Sequence, residues 1–190
     1  EVLDFAPLVR EFYRKTNLET KLPEYLKLYQ AEGTRMRLPV SQMVADLLTY
    51  LNTRPITISF EKVKVEVPDP KNPKKKVDAI KTLEHERRFF IVPDLLATTG
   101  TVNCLNIRDD YYAVVPPNTS FSISETRRAF LQFIIDPLVL KNAKEISPLR
   151  DKIKDLLDER RKVNPNISPD VFLSVMRSLV AAVDTKEIEF

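Results

Sequence analysis

The sequence predicts an α+β fold with N-terminal helices, a central and mainly antiparallel sheet, and C-terminal helices. Three observations carry this. Apolar residues recur every three or four positions up to residue 51, alternate with polar ones between 56 and 117, and return to helical spacing from 122 to 185. A length of 190 residues with 43% hydrophobic content suits one domain with a substantial core. We therefore read 1–190 as a single unit made of a helical part (1–51), a sheet part (56–117) and a second helical part (122–185).

In the first part, Leu3, Phe5, Leu8 and Val9, then Phe12 and Tyr13, form a helical stripe, and Tyr25, Leu28 and Tyr29 resume it after Pro23. At this spacing the aromatic Phe12, Tyr13, Tyr25 and Tyr29 are expected in the core. From about Pro39, residues Val40, Met43, Val44, Leu47, Leu48 and Leu51 mark a further core-facing helix.

In the sheet part, Ile56, Ile58 and Phe60 alternate with polar residues, and Val63, Val65 and Val67 do so in the opposite phase. A bulge or a join is expected at Glu61-Lys62. Pro68–Lys76, with three prolines and four lysines in nine residues, reads as a solvated loop. Arg88–Val92, Thr101–Ile107 and Tyr111–Val115 read as strands. Thr98-Thr-Gly100 and Arg108-Asp-Asp110 read as turns, the second joining antiparallel neighbours.

Helices return after Pro116-Pro117. Ser122 and Glu125 have the spacing of a capping box, and Ala129–Ile135 is apolar nearly all round, so this helix should be deeply buried until Asp136-Pro137 ends or kinks it. Leu149–Arg161 is amphipathic, with Leu149, Ile153, Leu156 and Leu157 on one face. Ser168 and Pro169 should open a last helix whose apolar face includes Val171, Phe172, Val175, Met176, Leu179, Val180 and Val183.

Composition excludes several functions. One His and one Cys cannot build a His/Cys zinc site, and one Cys cannot form an intrachain disulfide. Two distant glycines exclude the glycine-rich phosphate loops of nucleotide-binding proteins, so no cofactor is expected. With 30 Lys+Arg against 27 Asp+Glu interleaved along the chain, the net charge of +3 gives no nucleic-acid footprint. No apolar run approaches the ~20 residues that span a bilayer. The chain begins at Glu1 without Met or a signal peptide and so reads as a processed product or an excised piece.

Four places carry candidate chemistry. His85, flanked by Glu84 and Glu86 and with Asp110 elsewhere, is the one possible imidazole base for an acid–base enzyme. Its plainer reading is an exposed residue among charges. Cys104 reads as a buried, inert thiol, since no cation or helix start is near it in sequence. Asp109-Asp110 reads as a turn pair, because adjacent residues on an extended chain point to opposite faces and do not share a cation. Lys71–Lys76 has no interleaved aromatic to stack on bases and reads as an exposed loop.

The run Asp109-Asp-Tyr-Tyr-Ala-Val-Val-Pro-Pro117, followed by Ile123-Ser-Glu-Thr-Arg-Arg-Ala-Phe-Leu-Gln-Phe-Ile-Ile-Asp-Pro-Leu138, resembles part of the peptidase-MA-like (gluzincin-type) domains of bacterial proteins. In those, a strand of the D-D-Y-hydrophobic kind precedes a helix ending in D-P-L. Some members carry H-E-x-x-H on that helix, where residues four apart share one face and converge on zinc while the Glu activates its water. The resemblance places Arg128 and Gln132 at the two His positions, Ala129 at the Glu position, and Arg177 near the Glu that a later helix would supply as third ligand. None of these is a zinc ligand or a base. The resemblance therefore implies a degenerate zincin-like fold without metal, used for binding a protein or peptide or for scaffolding, in a periplasmic or secreted setting. It further suggests that Arg128 and Arg177 face each other across the old cleft and hold an anion such as a peptide carboxylate.

Overall fold

A computed structural model of the chain describes residues 2–69, 72–121 and 125–187. The expected order of helices, mostly antiparallel sheet and helices is present. Helix α1 spans Val2–Lys15 and α2 spans Leu18–Tyr50, joined through Asn17 in the left-handed region at φ 52°. Contrary to the expected breaks, α2 runs for 33 residues through both Pro23 and Pro39. Each proline removes one backbone donor. The carbonyls deprived of it belong to Glu19 and Arg35, both exposed residues, where solvent can satisfy an orphaned acceptor.

The C-terminal half of the α2 stripe enters the core, where Met36, Met43 and Leu47 are buried. The upstream half does not. Phe12, Tyr25 and Tyr29 are exposed and Tyr13 is half-buried, because α1 packs on α2 and no third layer covers the pair. The core assignment for those aromatics is thus corrected.

Strands β1 (Ile58–Asp69) and β2 (Asn72–Glu86) form a long antiparallel hairpin. Pairing is continuous from Ile58↔Glu86 to Pro68↔Lys76, with no bulge at Glu61-Lys62; the register shifts only between Pro68 and Asp69. The phase change in the sequence has another cause. Ile58 and Phe60 lie on one face, Val63, Val65 and Val67 on the other, and neither face is buried. The expected Pro68–Lys76 loop is replaced by strand on both sides, and only residues 70 and 71 between the strands lie outside the described residues.

Strands β3 (Phe89–Pro93), β4 (Asn103–Ile107) and β5 (Asp110–Val115) make a second sheet in the order β3-β5-β4. β3 runs parallel to β5, and β4 antiparallel to it, as the Arg108–Asp110 turn requires. Along β5, Tyr111, Ala113 and Val115 point inward against α3, Glu125–Lys141. α3 buries Phe130, Leu131, Phe133, Ile134 and Ile135. Ser122 to Ser124 lie outside the described residues, and with them the capping box.

α3 does not stop at Pro137 but continues to Lys141. Pro137 cannot donate to the carbonyl of Phe133 four residues back. The guanidinium of buried Arg87 does so instead, its Nη2 donating to that oxygen at 3.0 Å and its Nη1 to the carbonyl of Ile56 at 2.6 Å. The cation also lies 4.7 Å from the Phe133 ring centroid and 5.7 Å from that of Tyr111. Beside it, the Tyr111 hydroxyl donates to Asp136 Oδ2 at 2.8 Å.

Burial, then the bond to Asp136, hold the Tyr111 phenol proton well above its usual range. A folded-state pKa raised above the unfolded value means that the proton is kept by the native protein. The contribution is present below about pH 10 and lost as pH rises beyond it. Alkaline unfolding should therefore steepen above pH ~10, and Tyr111→Phe should flatten that limb while lowering neutral-pH stability by about 1 kcal/mol. Denaturation across pH checks both, and an unchanged alkaline limb in the variant refutes the assignment.

After a short helix α4 (Ala143–Ile146) and a single 3₁₀ turn, α5 (Arg150–Val163) and α6 (Val171–Glu187) complete the chain. On α5, Leu157 is buried and Ile153 half-buried, but Leu149 and Leu156 are exposed. The cap of α6 is Asp170 rather than Ser168. Its Oδ1 accepts from the Leu173 N–H at 3.0 Å, while Ser168 Oγ accepts from the N–H of Asp170 itself.

Candidate functional site

α3 and α6 run antiparallel side by side: Arg127 and Arg128 near the start of α3 both reach Asp184 near the end of α6. Next to this clamp lies an open cleft of about 420 Å³. α3 lines it with Glu125, Arg128, Ala129 and Gln132, because these positions share one helix face. α6 adds Met176, Arg177, Val180 and Ala181 for the same reason, and Cys104 contributes from β4. All four positions nominated from the sequence, Arg128, Ala129, Gln132 and Arg177, thus border one concavity. A second hollow, of about 520 Å³ between α2 and Thr119–Phe121, contains none of them.

The electrostatics of the cleft differ from expectation. Arg128 donates from Nε to Asp184 Oδ2 at 2.7 Å and from Nη1 to Glu125 Oε1 at 2.9 Å. Asp184 foremost, then Glu125, raise its pKa further. Arg128 and Arg177 border the same cleft, but the charge of Arg128 is already matched, whereas Arg177 is exposed and forms no ion pair among the described residues. The floor is apolar, from Ala129, Met176, Val180 and Ala181, and the rim carries Arg177, Gln132 and Glu125.

β4 sits at the edge of its sheet, so one of its backbone edges has no strand partner. Cys104 opposes Ala113 of β5 and therefore points to the α3 side. It is exposed, not buried as expected; partial desolvation and the nearby Glu125 nevertheless push its thiol pKa up and disfavour a thiolate.

The residues of the cleft do not fit a zinc ion. Arg128, Arg177, Gln132 and Ala129 offer it no ligand, and among the described residues no three His, Cys, Asp or Glu side chains come together as a metal site.

No family model, no curated protein and no solved structure matches this chain.

The other candidates lie elsewhere. His85 is on β2, where its Nε2 is 3.2 Å from Glu61 on the neighbouring strand. Glu84 and Glu86, adjacent to it on an extended chain, project to the opposite face. Asp110 is held by Arg88 through Nη2 at 2.8 Å and Nε at 3.1 Å, which lowers the Asp110 pKa. The structure does not bring the proposed His85 constellation together. Asp109 lies in the turn, as read from the sequence. Lys76 pairs with Glu66 at 3.0 Å, while the side chains of residues 71–75 lie outside the described residues.

The sequence reading did not place Glu125 or Cys104 at this cleft, and it missed Asp184 altogether. For Asp184 there was a signal: an acid one turn beyond Val180 on an apolar helix face requires a cationic partner.

Proposed function

We propose that this chain is a non-catalytic binding domain, of the kind an inactive zinc metallopeptidase would leave, that holds an extended peptide segment in the α3/α6 cleft along the free edge of β4. The observation that supports this reading most is the single cleft bordered by Arg128, Ala129, Gln132 and Arg177 and flanked by a strand edge. An edge strand supplies alternating donors and acceptors to an added strand, and the adjacent hollow selects its side chains. Five residues of β4 offer roughly 17 Å of edge. The apolar floor suits small aliphatic side chains, and Arg177 suits an acidic side chain or a terminal carboxylate. The bacterial envelope setting rests on the family resemblance alone.

Selection from a random peptide library followed by calorimetry tests the proposal. We expect enriched peptides whose affinity falls tenfold or more in Ala181→Trp, which fills the cleft from an exposed helix position, and falls for acidic peptides in Arg177→Glu. Stoichiometric zinc with peptide hydrolysis, or binding indifferent to both variants, would sink it.

A further inference from the structure

The α1–α2 hairpin carries a surface that is exposed among the described residues. On α1, Phe5, Leu8, Val9 and Phe12 share one stripe, and the two phenylalanines are 62% and 61% exposed. On α2, Leu22, Tyr25, Leu26 and Tyr29 are exposed in line with Met36, Met43 and Leu47, so the stripe that is buried in the core downstream emerges upstream without a partner. Ala6 and Tyr13, half-buried on the flank of the α1 stripe, mark the side that meets α2. The result is a layer two helices wide, with an apolar stripe on each.

We propose that this layer packs against the same layer of a second copy of the chain, forming a two-fold symmetric four-helix arrangement. The area is adequate. Scaled by their exposures, the stripe side chains present roughly 800 Å² per copy, the share that one partner contributes to a standard stable interface. The charge is also compatible with self-association. Between residues 5 and 32 there are five basic and four acidic side chains, so two copies approach without net repulsion. Glu11 and Lys15, paired at 2.7 Å, lie on the flank of the α1 stripe and fit a polar rim. A two-fold interface needs one self-complementary patch, and an apolar stripe on each of two joined helices can form one across a two-fold axis.

Sedimentation equilibrium of the 190-residue chain, taken up to about 100 μM, tests this. We expect twice the monomer mass, with association weakened a hundredfold or more in the double variant Leu8→Glu/Leu26→Glu and unchanged in Leu156→Glu, an equally exposed position on α5. Amide exchange gives a reading that needs no variant: exchange in residues 5–32 should slow as concentration rises, while β4 and α5 stay unaffected. A monomer throughout the range overturns the proposal, whether or not the hairpin binds some other protein. A dimer that persists in the double variant, that Leu156→Glu disrupts, or that protects a different segment overturns it equally.

Discussion

Arg87→Ala should destabilise the protein by about 3 kcal/mol, a large effect for the truncation of a polar side chain. The guanidinium is buried and donates to two backbone carbonyls, of Phe133 and Ile56. Truncation strands both acceptors and removes the cation from the Phe133 ring. Arg87→Lys should recover only part of the loss, since an ammonium lacks the planar fork that serves two carbonyls at once. A thermodynamic cycle isolates the cause. In a Pro137→Ala background the residue at 137 regains an N–H for the Phe133 carbonyl, so Arg87→Ala should cost about 1 kcal/mol less there than in the natural chain. Chemical denaturation of the four proteins measures this coupling. Equal costs in the two backgrounds would show that Arg87 acts through something other than the proline gap.

The second large effect is expected at Asp184. Its carboxylate takes Arg127 at 3.1 Å and Arg128 at 2.7 Å, and the Arg127 and Asp184 side chains are nearly inaccessible. Asp184→Ala withdraws the carboxylate from a buried guanidinium and should cost about 3 kcal/mol, whereas Asp184→Asn, which keeps an acceptor, should cost roughly half that. Arg128 is half exposed, so its share of the loss is small. The Asn variant has a further consequence: it leaves Arg128 with Glu125 alone and makes the cleft more positive. Acidic peptides should then bind more tightly to Asp184→Asn than to the natural chain. Titration at two salt concentrations measures the gain, which should shrink as salt rises.

Much of the architecture was legible because burial writes a period into sequence. β5 alternates in and out, and both this strand and the turn that joins it to β4 were legible in the sequence. α3 was recognisable as a buried helix for the same reason. β2 was not, because a ribbon wet on both faces has no burial to record: Lys76, Asp78, Lys81, Glu84 and Glu86 break any alternation. The exposed stripes of α1 and α2 misled in the opposite sense, since helical spacing announces that a face is apolar and not that this chain covers it. Pro39 and Pro137 were read as breaks because local rules assign each a missing bond; solvent access at one and Arg87 at the other lie outside any local window. In the cleft, the resemblance supplied Arg128, Ala129, Gln132 and Arg177 by spacing; the pair of Arg128 with Glu125 is an i,i+3 neighbour on α3, but its pair with Asp184 depends on how α3 meets α6, which spacing does not encode.

The link between Arg87 and Phe133 bears on the order of folding. The donor that completes α3 across Pro137 lies 46 residues upstream, at the foot of the β1–β2 hairpin. The final turns of this helix are thus stabilised not by their own backbone alone but also by closure of a long loop, a slow and entropically costly event. Helix completion and hairpin docking should therefore belong to one cooperative step, with the start of α3 free to form before it and the segment beyond Asp136 ordered only after the chain has closed on itself.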